Sequence, residues 1–324
     1  MTDTQQKNFR QWSGLADWQV NGFKGVDFNS PELTVEQVQT ASEALAAEGI
    51  SFYMPTIITG DIGTIERLIF VIVQAAKSQA ANAARIVGLH LEGPFISPLD
   101  GARGAHPKQH VRAPDVQLLE RWQELAGGMI RLLTLSPEWP DCDRMIERAC
   151  ELGMRVAIGH TMATSEQIAA AVAAGASLST HLGNGIPAML PRHPNPIWDQ
   201  LAQLELWASV IADGFHLPQS VFDVFRRVKG SRLFLVSDCT EFTGMSPGTY
   251  KSPIGGEVVL TAEGRLHLAE NPLLLAGSAL SLRQIVEKTV ENGWLSPEDA
   301  WNLAAVRPWE FLGEQPPEGV NFCD

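Results

Sequence analysis

Arg155-Val156-Ala157-Ile158-Gly159-His160-Thr161, then the amphipathic run Ser165–Ala174, the breaker Gly175, and Ser177-Leu178-Ser179-Thr180-His181 form the stretch whose reading decides the fold. A short apolar run, a helix-period run and a second short apolar run make a strand–helix–strand unit. A helical crossover of that length joins parallel strands, because antiparallel neighbours need only a tight turn. Both strands run out into a histidine at the end where the chain leaves the sheet.

The same order continues in both directions. Strands are expected at Leu15–Val20, Ser51–Pro55, Ile86–Leu91, Ile130–Leu135, Arg155–Ile158, Ser177–Thr180, Ala208–Ala212 and Leu233–Ser237. Helices are expected at Val35–Glu48, Ile65–Ala81, Val116–Leu125, Asp143–Leu152, Ser165–Ala174 and Gln219–Val228, three of them closed by Gly153, Gly175 and Gly230. Repeated βα units in one parallel sheet, eight in number, predict an α/β TIM (β/α)8 barrel. Tyr250–Leu268 breaks the rhythm: Glu257–Leu260 and Arg265–Leu268 flank Thr261-Ala262-Glu263-Gly264 and predict a β-hairpin inserted after strand eight. Pro187, Pro191, Pro194 and Pro196 predict a stiff loop over 187–196 after strand six. Two helices, Ser281–Glu291 and Pro297–Phe311, finish the chain.

The 324 residues, 45% hydrophobic, are enough for one large core, so a single domain over residues 1–324 is expected. A formal net charge of -13 argues against an electrostatic grip on nucleic acid or anionic lipid. No apolar run approaches the roughly 20 residues that cross a bilayer, and Met1 to Ser13 is polar, which predicts a cytoplasmic protein. Cys142, Cys150, Cys239 and Cys323 form no CxxC pair and read as reduced, small apolar fillers. Trp301 and Trp309 in the last helix offer an interface for a homo-oligomer.

In a TIM barrel the chemistry sits at the C-terminal ends of the strands. Asp17 and Gln19 lie in strand one, Glu92 ends strand three, His160 strand five, His181 strand six and Asp238 strand eight. Singly, such residues read as hydrogen-bonded filler, an ion-pair partner or a turn cap. Four at four strand ends read as a site. Two imidazoles and a carboxylate, Glu92, His160 and His181, form a donor set for one divalent ion, zinc by preference, with a position left open for water. Asp238 is then the acid/base that shuttles the water proton.

The words around these residues carry a resemblance. Gly88-Leu89-His90-Leu91-Glu92-Gly93-Pro94-Phe95, Gly104-Ala105-His106, Gly159-His160-Thr161, Thr180-His181-Leu182-x-Asn184, Asp213-Gly214-x-His216, Ser237-Asp238 and Leu275-Ala276-Gly277-Ser278 resemble, in order and over roughly Leu15 to Leu312, the N-acetylglucosamine-6-phosphate deacetylases of the amidohydrolase superfamily. The resemblance implies a metal on Glu92, His160 and His181, with Asp238 as general acid/base and His106 polarising the acetyl carbonyl. It implies substrate contacts from Gln19, Asn184, Gly185, Arg192 and His216. Asp17-Trp18-Gln19 stands where many superfamily members carry His-x-His for a second metal, so one ion is expected.

The chain departs from the family's pattern in three places. It reads His181-Leu182-Gly183-Asn184-Gly185-Ile186 where the family reads His-Leu-aromatic-Asn-Ala-Met; its Pro-rich run matches Arg192 by spacing alone; and strand one begins within fifteen residues while the chain ends at Asp324. The accessory β-sandwich of the family is therefore expected to be absent or reduced to the hairpin. The expected reaction is hydrolysis of the acetamide of an N-acetylated amino sugar, phosphorylated as in N-acetylglucosamine-6-phosphate, with release of acetate. The alternatives are an amidohydrolase of another amide or cyclic amide, which usually carries His-x-His and a bridging lysine, and a non-catalytic sugar-phosphate-binding protein.

Overall fold

The computed structural model describes residue 12, residues 14–252, 256–320 and 322. Its centre is a parallel barrel of β1 (Leu15–Val20), β2 (Ile50–Ile58), β3 (Leu89–Glu92), β4 (Ile130–Leu135), β5 (Arg155–Ile158), β6 (Ala176–Ser179), β7 (Trp207–Val210) and β8 (Leu233–Leu235), hydrogen-bonded in that order. Expectation and structure agree to the residue for β1, β4 and β5. Residues 86–91, expected as one strand, divide: Arg85–Ile86 pairs with the edge of β2 and the chain resumes as β3 at Leu89. Gly88 is the break, where a Cβ would stand 2.5 Å from Arg131 Cγ.

The barrel closes where the chain runs on past β8. Val20 and Cys239 form a parallel bridge, and Asp238 N donates to Gln19 O at 3.0 Å. Asp17, buried in this seam, accepts from Ser237 N at 3.1 Å and from Ser237 Oγ at 2.5 Å. Closure therefore fixes the residue before Asp238 by side chain and backbone together.

Around the barrel run α1 (Val35–Ala47), α2 (Ile62–Lys77), α3 (Val116–Leu125), α4 (Cys142–Glu151), α5 (Ser165–Ala173), α6 (Pro196–Ala202) and α7 (Gln219–Lys229), followed by α8 (Leu282–Glu291). Their starts are chemically marked. Thr34 with Gln37, Thr164 with Gln167 and Ser281 with Gln284 form capping boxes at α1, α5 and α8. The Asp61 side chain accepts from Thr64 N, so α2 begins three residues before the periodicity suggests. The expected stiff loop ends early because Pro196, free of an N–H to satisfy, opens α6 behind the Asn195 cap. The last helix is not continuous: α9 (Pro297–Trp301), a π-turn (Asn302–Val306) and α10 (Arg307–Leu312) follow one another, with Pro308 unable to supply the regular hydrogen bond.

Trp301 and Trp309 are buried rather than offered to a partner. Trp309 meets Trp18 and Phe52 edge-on at 5.0 and 5.1 Å, and Trp18 Nε1 donates to Pro308 O at 2.8 Å, so these aromatics fasten the C-terminal helices to β1 and β2. Cys142 and Cys239 are buried as fillers, Cys150 is exposed, and Cys323 lies outside the described residues. The expected hairpin is part of a three-stranded antiparallel sheet of β9 (Gly248–Ser252), β10 (Gly256–Leu260) and β11 (Leu266–Leu268). It has its own small core of Phe242, Val258, Leu260, Leu266 and Ala279. The third strand, with Gly248, Lys251 and Ser252, is too polar to announce itself by apolar alternation. No helix among the described residues is long and apolar enough to cross a membrane.

Candidate active site

Glu92 closes β3, and its Oε1 stands 3.2 Å from His160 Nε2 and 3.1 Å from His181 Nε2. The two Nε2 atoms are themselves 3.1 Å apart, with the rings at 88° to one another. All three side chains are buried. His106, on the loop after β3, joins them: its ring centroid is 4.3 Å from that of His160, and the ligand atoms of Glu92, His106 and His160 lie within 4.8 Å of one another.

The hydrogen bonds decide which lone pairs are free. His160 Nδ1 lies 3.0 Å from Ala102 O, and a carbonyl only accepts, so Nδ1 carries the proton and Nε2 presents a bare lone pair. That lone pair meets a carboxylate oxygen and the Nε2 of a second imidazole, whose Nδ1 is buried without a hydrogen-bond partner among the described residues. For bonds of about 2.0–2.1 Å at tetrahedral angles, ligand atoms sit roughly 3.3 Å apart, and the observed separations are 3.1–3.2 Å. The donor set fits a zinc-sized divalent ion.

The electrostatics point the same way. Burial pushes the Glu92 carboxyl up, but His160 and His181 outweigh it and hold it well below the usual carboxylate range. Burial pushes His181 down and the Glu92 carboxylate more than reverses this. His106 is held well below the usual histidine range by burial, with His160 adding to it. Its Nδ1 lies 3.4 Å from the donor Thr59 N and 2.9 Å from Thr59 Oγ1. A lone pair at Nδ1 for the Thr59 N–H leaves the proton on Nε2, where it can be donated.

Asp238 is half-buried on the cavity wall, where burial together with Glu92 raises it to about 6 despite His181, His216 and Asn21. A carboxyl in that range takes up and gives back a proton near neutral pH. His160, His181 and Asp238 share a further feature, φ values of 49°, 30° and 50°. Non-glycine residues in this left-handed region cost of order 1–3 kcal/mol each and collect at functional sites. Only Lys24 and Asp141 join them among the described residues.

These groups face a cavity of about 410 Å³ whose lining includes Asn184, Gly185 and His216. Asp213 accepts from His216 Nδ1 at 2.7 Å and so directs the other edge of the ring outward. Two expected substrate contacts stand elsewhere. Gln19 does not line the cavity; it is buried behind Glu92 and donates to Oε1 at 3.0 Å. Arg192 is exposed on the loop before α6 and does not line the cavity either, as its irregular Pro-rich setting provides no strand end to aim it. Among the described lining residues none is lysine or arginine, and Asp27 and Glu241 stand on the wall. Burial, with Asp27 beside it, raises Glu241 to about 7. Asn21, Asn29 and Glu241 went unnoticed in the sequence because they occupy loops, and Asp27 because its strand, Val26–Asp27, is only two residues long, so neither periodicity nor a barrel strand end marks them.

No protein-family model matches the chain. It is 33% identical over 303 residues to the N-acetylglucosamine-6-phosphate deacetylase of Bacillus subtilis, covering 93% of this chain and 74% of that protein. It is 29% identical over 304 residues to the N-acetylgalactosamine-6-phosphate deacetylase of Escherichia coli O157:H7, covering 92% and 76%. Among solved structures it is similar to a Mycobacterium smegmatis N-acetyl-D-glucosamine-6-phosphate deacetylase in complex with N-acetyl-D-glucosamine-6-phosphate, with a TM-score of 0.82, 28% identity and coverage of 93% and 77%.

Proposed function

Because the chain belongs to the N-acetylglucosamine-6-phosphate deacetylase family, we propose that it acts as one hydrolase domain that removes the acetyl group of an N-acetylated amino-sugar 6-phosphate. The observation that carries this reading is the convergence of Glu92 Oε1, His160 Nε2 and His181 Nε2 within 3.2 Å beside Asp238. Those three residues would hold one divalent ion, zinc by the character of the donors, which supplies a water made nucleophilic at neutral pH and a Lewis acid for the acetyl carbonyl.

The protein's own groups do the rest. The water oxygen bonds the acetyl carbon, the carbon–nitrogen bond breaks, one water proton reaches the nitrogen through Asp238, the other passes to solvent, and acetate leaves. An amine departs poorly as an anion, so delivery of that proton is obligatory. His106 donates from Nε2 toward the acetyl oxygen as negative charge develops there; the Thr59 N–H at Nδ1 supports that tautomer. Its depressed pKa keeps it neutral, a donor that does not repel the cation. Asn184, Gly185 and the outward edge of His216 read the sugar, a role supported by their place on the cavity wall. Gln19 serves the ion indirectly by holding Glu92.

The test is acetate release from N-acetylglucosamine-6-phosphate, from its galacto epimer and from the unphosphorylated sugars, with and without a chelator. Acetate from a phosphorylated sugar, lost on chelation and restored by zinc, is expected. No acetate from any of them overturns the reading.

A further inference from the structure

His90 lies two residues before Glu92 in β3, on the same face of the strand, and is fully buried. Its Nε2 stands 2.8 Å from Thr134 Oγ1 in β4, and Thr134 Oγ1 stands 2.7 Å from Thr180 Oγ1, on the residue before His181. The other ring nitrogen, Nδ1, lies 3.5 Å from Thr56 Oγ1 in β2, which accepts from Val20 N at 3.0 Å. The step from Thr134 to Thr180 passes the end of β5, where Gly159, the residue before His160, makes room for it. A Cβ there would stand 2.7 Å from Thr134 Cγ2 and 2.9 Å from Thr180 Cβ. A crosslink of buried side chains thus meets the chain within two residues of each of Glu92, His160 and His181.

Proton counting gives this crosslink a direction. Among the described residues the Thr180 hydroxyl has Thr134 as its hydrogen-bond partner, and a hydroxyl proton so deeply buried needs an acceptor. Thr180 therefore donates to Thr134, Thr134 donates to His90 Nε2, and the ring's own proton sits on Nδ1. An imidazole that accepts at Nε2 is neutral, so the crosslink puts no positive charge beside a cation held by Glu92, His160 and His181.

Resting on the metal site of the deacetylase reading, we propose that His90, Thr134 and Thr180 are positioning residues whose crosslink fixes the spacing of the three metal-binding groups before the ion arrives. None of the three lines the cavity, so their effect reaches the reaction through the ligands and not through the sugar. The ligand atoms stand 3.1–3.2 Å apart, a spacing for short bonds to a zinc-sized ion. Manganese takes longer bonds and prefers six oxygen ligands. A spacing locked from within the barrel favours the smaller ion, whereas a loosened one lets the donors spread. The crosslink thereby sets both the affinity of the site and its choice among divalent ions.

The experiment measures zinc and manganese affinity by competition with a chelator, for the unaltered protein, Thr134→Val, Thr134→Ser, Thr180→Val and the double valine variant. Melting temperature is recorded beside each affinity. Thr134→Val keeps the shape of the side chain and removes the hydroxyl that serves both neighbours. It should weaken zinc binding by about 10–100-fold, the range for groups behind metal ligands, and weaken manganese binding less, so that the ratio of the two affinities falls. Thr134→Ser keeps the hydroxyl and should return both affinities to near their original values. Thr180→Val should also weaken zinc binding, yet adding it to Thr134→Val should cost nothing further, because the chain is already cut; independent contributions would add. A lower melting temperature with zinc affinity unchanged, a serine variant no better than valine, or additive losses would overturn the role given to the crosslink. Failure of the unaltered protein to bind zinc would instead overturn the metal site itself, and with it the deacetylase reading.

Discussion

Gln19 Nε2 donates at 3.0 Å to Glu92 Oε1, the same oxygen that faces His160 and His181. A ligand carboxylate that is also an acceptor for a buried amide is held in one rotamer, and partners of this kind are typically worth about 10–100-fold in metal affinity. Gln19→Leu, close in volume and unable to donate, should therefore weaken metal retention by that factor while leaving the fold intact. Titration against a competing chelator reads this directly; an unchanged affinity would return Gln19 to a purely packing role.

Gly185, at φ 63°, passes so close to His160 that a Cβ would stand 2.9 Å from Nδ1, the nitrogen that donates to Ala102 O. Gly185→Ala combines the left-handed backbone penalty with pressure on a ring of the proposed metal site. Melting temperature and metal affinity should fall together, and a crystal structure of the variant should show the ring displaced. An unaltered His160 with only substrate affinity reduced would make Gly185 a substrate contact alone.

The barrel was legible because its determinants are local. The runs of β1, β4 and β5 each begin within two residues of a glycine, and Thr34, Thr164 and Ser281 announce helix starts chemically. Glu92, His160, His181 and Asp238 were legible because fold and strand order place strand ends together. What stayed hidden depends on three-dimensional neighbours. Nothing in the sequence tells that Gln19 bonds Glu92 and stands off the cavity wall, that Arg192 lies outside the cavity, or that Asn21 grips Asp238. The left-handed backbone at His160, His181 and Asp238 is likewise a property of the assembled rim.

Asp17 offers a test of the closing seam by pH. Burial raises its carboxyl to about 7, with Asp238 adding to the effect and Ser237 opposing it. A carboxyl raised on folding binds its proton more tightly in the folded than in the unfolded chain. Stability is then highest below the unfolded value near 4 and declines as pH rises toward about 7, by about 1.4 kcal/mol for each pKa unit of difference. Asp17→Asn keeps both bonds to Ser237, accepting from its N–H and donating to its hydroxyl, and has no such slope. The melting temperature of the variant relative to the unaltered protein should be more favourable at pH 8 than at pH 5. A difference independent of pH would mean that Asp17 remains ionised in the seam.

Asp238→Asn separates binding of the ion from use of its water. Asp238 is not one of the three groups whose atoms converge within 3.2 Å, so its amide variant should retain the metal. Asparagine has nearly the same shape, and turned with its oxygen toward Asn21 Nδ2 it keeps the 2.7 Å bond that anchors the side chain. It cannot, however, take a proton from water and deliver it to nitrogen. A positioned acid/base contributes about 10²–10⁴-fold, so kcat on N-acetylglucosamine-6-phosphate should fall at least about 10²-fold while metal content and substrate affinity stay near their original values. Metal loss alongside the rate loss would move Asp238 into the ligand set, and full activity would remove it from proton transfer.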